Sequence, residues 1–292
     1  PNIMHPILDK RSNDEPSILA EMSLKAAKKA MEKAKKKPHD IDAVITACSN
    51  LERAYPAISI EVQELLGIKG FAFDMNVACS SATFAIQAAA DMIKSGSAKT
   101  ILIVDPEICS GHLDFKDRDC HFIFGDVCTA MILEKRETAQ SNNSFEILST
   151  KCITQFSNNI RNNFGFLNNA KKSSPLDRDL LFMQEGRKVF KEVVPMVSQL
   201  IIDHVYEEKI KIDEIKRLWL HQANKSMNDF IGKKVLGRIP EDHEQPNILQ
   251  DYANTSSAGS IIAFSLYSED MKTDEIGVLC SFGAGYSAGS II

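Results

Sequence analysis

The chain has 292 residues, 44% of them hydrophobic and 25% charged, an ordinary globular composition with length enough for a substantial core. A net charge of −5 argues against a nucleic-acid-binding face. No apolar run approaches the roughly 20 residues that cross a bilayer, and no signal-peptide core opens the sequence. The expectation is a cytoplasmic protein with no nucleic-acid or membrane partner. Seven cysteines, at 48, 79, 109, 120, 128, 152 and 280, contain no C-x-x-C pair. That spacing fits neither a disulfide framework nor a zinc site, so no metal is expected and the thiols are free for chemistry.

In chain order, Asn13 to Ser17 supplies capping residues and a first-turn proline. Ile18, Leu19, Met22, Ala26, Ala30 and Met31 then recur at helical spacing up to Pro38. The lysines of this segment interleave with alanine and methionine, which reads as a solvated face. Ile41 to Cys48 reads as a buried strand, Ser59 to Leu66 as a helix closed by Gly67, and Phe71 to Met75 as a second strand. An alanine-rich helix runs from Ala82 to Lys94. Thr100 to Val104 is a continuous apolar run, typical of a strand covered on both faces. Gly125 to Leu133 is another strand, and 134–144 is a polar stretch able to join two halves.

The second half repeats the rhythm. Strands are expected at Phe145 to Thr154, Arg217 to Leu220 and Ile276 to Phe282, with a long helix inside Asp177 to Tyr206 and another at Lys225 to Leu236. Asn158 to Ser174, with six asparagines, reads as a long loop. The alternation predicts an α/β layered fold, with an N-terminal half at 1–144 and a C-terminal half at 145–292.

Cys79 stands between a strand and a helix, where unpaired N–H groups and the helix dipole favour thiolate over thiol. The sequence context therefore predicts a lowered thiol pKa, although a small buried hydrophobe is the more ordinary role for a free cysteine. Three other stretches put polar groups where a core would not: His221-Gln222-Ala223-Asn224 after a strand, Asn254 to Ser260 leading into a small-residue helix, and the Gly283-Ala284-Gly285 turn. Ligand sites of α/β folds lie outside the carboxyl ends of strands, where Cys79, His221 and Gly283 all fall. A Cys, a His and an Asn in this order also describe papain-like proteases, but their local cysteine signature is absent.

Val77 to Ala82, His221 to Asn224, Asn254 to Ala258 and Ser281 to Tyr286 together resemble the β-ketoacyl-[acyl-carrier-protein] synthase III family of the thiolase fold. The resemblance covers essentially the whole chain. Asn50 to Ala57, Phe71 to Ser81, Phe124 to Asp126 and Gln155 to Arg161 look closer to one branch, the β-ketodecanoyl synthases, which take a medium-chain acyl-CoA primer.

The resemblance implies a thiolase-like α-β-α-β-α fold of two similar halves. It implies a triad of Cys79, His221 and Asn254, with the backbone N–H groups of Cys79 and Ala284 holding the oxyanion. Malonyl-[acyl-carrier-protein] would lose CO₂ and its enolate would attack the acyl-cysteine, His221 and Asn254 donating hydrogen bonds to the enolate oxygen. No cofactor is implied. Arg118, Asn224, Tyr55 and Gly283 match substrate- or CoA-binding positions, and an ion pair of Arg118 with Asp117 or Asp119 is the structural alternative. Tyr55 falls where the partner of a homodimer closes the acyl pocket. Lys191, Lys233 and Lys234 match positions that dock the acyl carrier protein, whereas Ser226 replaces an arginine there. The family's opening strand and CoA-gripping loop have no counterpart before Asp14, which suggests that the natural beginning is missing. Two other readings stay open: a transacylase without decarboxylation, and a non-catalytic carrier-binding homologue.

Overall fold

The computed structural model describes residues 11–12, 14–141, 143–163 and 177–292. The first helix forms as α1 (Ile18–Ala34); the Ser17 hydroxyl accepts from the Ala20 N–H at 3.2 Å, and Lys35 ends the helix in the left-handed conformation. There follow β1 (Ala43–Ala47), α2 (Ile58–Leu66), β2 (Phe71–Met75), α3 (Ser81–Ser95), β3 (Thr100–Ile108) and β4 (Asp126–Glu134). These strands form a sheet of order β2-β1-β3-β4, parallel except for β4.

The chain continues through β5 (Thr150–Ser157), the short pair β6 (Ile160–Arg161) and β7 (Met183–Gln184), α4 (Gly186–Glu207), β8 (Ile215–Leu220) and α5 (Lys225–Leu236). It ends with α6 (Leu249–Tyr252), α7 (Ala258–Leu266), β9 (Ile276–Gly283) and β10 (Gly285–Ile291). The second sheet has the order β5-β10-β9-β8.

The period of two along each strand decides which layer a side chain joins. On β1 and β3, Ala43, Ile45, Ala47, Ile101 and Ile103 face inward onto α3 and α7, whose other sides meet Trp219, Leu279 and Ile291 of the second sheet. On the opposite face, Val44, Leu102 and Val104 pack against Leu19, Ala27 and Met31 of α1 and Ile58 and Val62 of α2. Likewise Leu218, Leu220, Val278 and Phe282 pack outward against α4 and α5. Five layers result, α-β-α-β-α, with α3 and α7 buried between the sheets. The fold class expected from the alternation is the one observed.

Three elements depart from the sequence reading. β3 runs on beyond its apolar run through Asp105 and Glu107, because serines from two other segments satisfy these buried carboxyls. The strand expected at Phe145 to Thr154 begins only at Thr150; before it, the Leu148 and Ser149 N–H groups bond the Ile292 carbonyl. β10 was not expected: the sequence reading placed a turn at Gly283-Ala284-Gly285 and no strand after it. It is a strand that must be small, since a Cβ at Gly289 would lie 2.4 Å from Thr83 Oγ1 on α3. Of the loop expected at Asn158 to Ser174, residues 160–161 form β6 and residues 164–174 lie outside the described residues.

Candidate active site

Cys79 sits on a tight elbow between β2 and α3. Ala78 takes φ +47°, a left-handed conformation uncommon for a residue with a Cβ. Three bonds hold it: Ala78 N–H donates to Asn76 Oδ1 at 3.0 Å, Val77 N–H to Ser81 Oγ at 2.9 Å, and Ser81 Oγ–H to the Ala78 carbonyl at 2.7 Å. The elbow is locked to the second sheet by Ser80, whose hydroxyl donates to the Ser287 carbonyl on β10 at 3.0 Å. Gly283 is needed at the end of β9, because a Cβ there would lie 2.6 Å from Cys79 Cβ and 3.0 Å from its sulfur. With that approach made, the backbone N–H of Ala284 and that of Cys79 itself are both directed at Sγ.

His221 follows β8, its N–H bonded to the Cys280 carbonyl at 2.8 Å and its carbonyl held by Asn228 Nδ2 at 3.0 Å. The ring lies edge-on to Phe282 with centroids 5.1 Å apart, and is buried. Asn254 is fixed by its own backbone, which bonds Ile123 O at 2.8 Å and Gly125 N at 2.9 Å, and its Oδ1 accepts from the Ser256 N–H at 3.0 Å. That bond turns the side-chain NH₂ into the outward donor.

Ser256 joins these three residues. It takes φ +52°, its hydroxyl lies 3.4 Å from Cys79 Sγ, its N–H bonds Asn254, and its backbone touches the His221 ring. Ser256, and the Ser49 and Glu107 behind it, were not singled out from the sequence. The available signal was a pair of acids, Asp105 and Glu107, ending an otherwise apolar strand.

The expected thiolate is corrected by the structure. Burial pushes the Cys79 thiol up to about 11, with Glu107 adding to the rise; the Ser256 hydroxyl and the two N–H groups oppose it without winning. The helix N-terminus supplies donors, but the loss of water around the half-buried Cys79 costs more. His221 is pushed the other way, down to about 4, because burial disfavours the imidazolium more than the Ser256 backbone favours it. Both groups are neutral at neutral pH.

The remaining sequence-derived positions fall on the surface. Asn224 is exposed and caps α5, its Oδ1 accepting from Met227 N–H at 3.2 Å. Arg118 is exposed and makes no ion pair among the described residues; Asp117 pairs with Arg178 instead, at 2.7 Å. Tyr55 is 84% exposed. Lys191 on α4 and Lys233 and Lys234 on α5 are exposed on neighbouring helices joined by an edge-on Phe190–Phe230 contact. A surface hollow of about 550 Å³ is lined by Gly186, Arg187, Lys188, Phe190 and Lys191.

A sulfur with two converging N–H groups, an imidazole and a carboxamide donor, set between two sheets, defines a thioester-handling enzyme of the condensing class. The chain matches the family model of 3-oxoacyl-[acyl-carrier-protein] synthase III over residues 73–155 and that of its C-terminal region over residues 205–292. It is 60% identical over 292 residues to a β-ketodecanoyl-[acyl-carrier-protein] synthase of Pseudomonas aeruginosa, covering 100% of this chain and 83% of the relative. It is 30% identical over 282 residues to a β-ketoacyl-[acyl-carrier-protein] synthase III of Agrobacterium fabrum, covering 95% and 84%. The crystal structure of 3-oxoacyl-[acyl-carrier-protein] synthase III from Aquifex aeolicus superposes with a TM-score of 0.81 at 25% identity, over 95% of this chain and 84% of that one. The chain belongs to the 3-oxoacyl-[acyl-carrier-protein] synthase III family, and is an acyltransferase that initiates fatty acid biosynthesis.

Burial of His221 makes stability pH-dependent. In the unfolded chain the ring takes up a proton near 6.5, whereas in the fold it stays neutral to about 4. Stability present above 6.5 is lost as pH falls toward 4, at about 1.4 kcal/mol per pH unit from this group. Urea unfolding of wild type and His221→Gln across that range should show a shallower acid slope in the variant; parallel slopes would contradict the assignment.

Proposed function

We propose that Cys79 is the acylated residue in a decarboxylative condensation of a medium-chain acyl-CoA primer, such as octanoyl-CoA, with malonyl-[acyl-carrier-protein]. Cys79 sulfur attacks the primer carbonyl, and the oxyanion is held by the N–H groups of Cys79 and Ala284. That pair of donors, already directed at the sulfur before any substrate arrives, carries the reading. CoA leaves as the thiol. Malonyl-[acyl-carrier-protein] then loses CO₂ to an enolate, whose oxygen is stabilised by His221 and by the Asn254 amide. The neutral state of His221 suits this role, since a neutral ring donates one hydrogen bond without handing its proton to the enolate. The enolate carbon displaces the cysteine sulfur, which regains a proton. No step requires a metal or redox cofactor. The medium-chain primer rests on likeness to the Pseudomonas aeruginosa relative.

The acyl carrier protein is assigned to the α4–α5 face, where Arg187, Lys191, Lys233 and Lys234 are exposed. Lys188 and Lys225 of the same face are tied to Glu185 and to Asp229. The working form is assigned as a homodimer in the cytoplasm. Among the described residues, β2 is an edge of the first sheet with no strand beyond it, carrying Phe71, 42% exposed, and such an edge pairs readily with a second copy. Exposed Tyr55 then has a partner's acyl pocket to close.

Octanoyl-CoA should add one acyl group to wild type, mapped by mass spectrometry to Cys79, and malonyl-[acyl-carrier-protein] should then release CO₂ and the 3-oxoacyl product. Cys79→Ala should lose the adduct, and Asn254→Ala should keep it while losing condensation by about 100-fold, the typical worth of one such donor. An adduct without decarboxylation would contradict the condensing role, and no adduct would contradict the nucleophile.

Charge placed on the β2 edge tests the dimer. Sedimentation should give two copies for wild type and one for Phe71→Asp; a wild-type monomer would contradict it.

A further inference from the structure

A nucleophile whose resting form is the thiol needs somewhere to put its proton. His221 is one candidate, but its ring is assigned to the later, enolate-holding step. The structure contains a second route. From Cys79 Sγ the next oxygen is Ser256 Oγ at 3.4 Å, then Ser49 Oγ at 3.0 Å, then Glu107 Oε2 at 2.6 Å. Beyond it, Ser257 Oγ lies 2.9 Å from Glu107 Oε1 and 2.6 Å from Asp105 Oδ1. Both carboxyls have no exposed surface, and Glu107 also accepts from the Ser49 N–H at 3.1 Å.

Each hydroxyl has one hydrogen, and that count orients the chain. Ser49 donates to Glu107, and the Ser256 hydroxyl is placed to donate either to Cys79 Sγ or to Ser49; with its hydrogen turned toward Ser49, its oxygen is free to accept from the thiol. At the far end, the Ser257 hydroxyl is placed to donate to either carboxyl, Asp105 or Glu107. Burial pushes both carboxyls up, Asp105 well above its usual range, as expected of two acids sharing a site that water does not reach. Of the two carboxyls, Glu107 is the one the serine chain from Cys79 reaches. Its raised affinity for a proton brings it nearer to the thiol's own.

The other titratable groups facing Glu107 are Cys48, Cys79, Cys109 and Cys128, all with raised thiol pKa values. Cys48 donates to the Pro106 carbonyl at 2.8 Å and lies 3.9 Å from Glu107 Oε2, whereas Ser49 Oγ lies 2.6 Å from that oxygen.

We propose that Cys79 gives up its proton through Ser256 and Ser49 to Glu107 as the sulfur attacks the primer thioester. The bond formed is Sγ to the acyl carbon, and the bond broken is the acyl carbon to the CoA sulfur. The thiol hydrogen passes to Ser256, that of Ser256 to Ser49, and that of Ser49 to Glu107. One proton reaches the carboxylate in total, and it is held there until the departing CoA thiolate takes it up. Nothing is oxidised or reduced. Glu107 touches no substrate and acts through the two serines; Ser256 touches the reacting sulfur.

This inference rests on Cys79 being the acylated residue, and the half-reactions separate the two claims. Acylation moves the thiol proton, whereas condensation starts from an acyl-sulfur that has none. With octanoyl-CoA at neutral pH, Glu107→Gln should slow acylation of the full chain by about 100-fold, within the range of general-base catalysis. The variant's rate should then climb with pH as hydroxide takes over. CO₂ release from acyl-enzyme loaded beforehand should keep the wild-type rate. Ser256→Ala keeps the Cβ and the backbone bond to Asn254, and it should slow acylation in the same way. It serves as the test if Glu107→Gln does not fold. Acylation at the wild-type rate in either variant would overturn the relay, as would an equal slowing of both half-reactions. A wild type without an adduct on Cys79 would overturn the nucleophile assignment itself.

Discussion

The site is governed by the cost of placing negative charge on a half-buried sulfur that has lost much of its water. Desolvation outweighs the helix N-terminus and the local donors, so Cys79 rests as a thiol. Every other feature of the site answers that cost. Gly283 lacks a Cβ so that β9 can bring the Ala284 N–H to the sulfur, and Ala78 accepts a left-handed backbone so that the Cys79 N–H can turn toward it. The same water-poor surroundings hold His221 neutral, which suits a hydrogen-bond donor to an enolate better than a proton source.

The five-layer architecture makes this convergence possible. α3 and α7 lie between the two sheets, so the elbow at the start of α3 and the turn before α7 open on the same spot. His221 and Ala284 reach it from the ends of neighbouring strands β8 and β9. Ser80 and Ser287 bond across the gap between layers, and Ser256 contacts Cys79, Asn254 and His221 at once. Ser256 reaches Asn254 and His221 through its backbone and Cys79 through its hydroxyl.

Much of the fold was legible because periodicity reports burial. The faces of α1, β1 and α3 follow their apolar spacing, and the layer order follows from alternating strands and helices. β10 was not legible, because its small residues are dictated by α3 packing on it, a contact no local pattern encodes. The far end of β3 was hidden for a related reason: Asp105 and Glu107 look like loop residues until Ser49 and Ser257 are seen to satisfy them. Cys79, His221 and Asn254 were singled out through four short motifs occurring in one order, and the structure brings all three into contact with Ser256. The local argument for the cysteine gave the wrong direction for its pKa, since the dipole is visible in sequence and desolvation is not.

The protonated resting state of Cys79 is the claim on which the account turns. Brief pulses of iodoacetamide across a pH series, with the modified residue located by mass spectrometry, read the thiolate fraction at this one sulfur. The account predicts a rate at Cys79 that still rises well into the alkaline range, toward the thiol's value of about 11. A rate already at its plateau at neutral pH would contradict it.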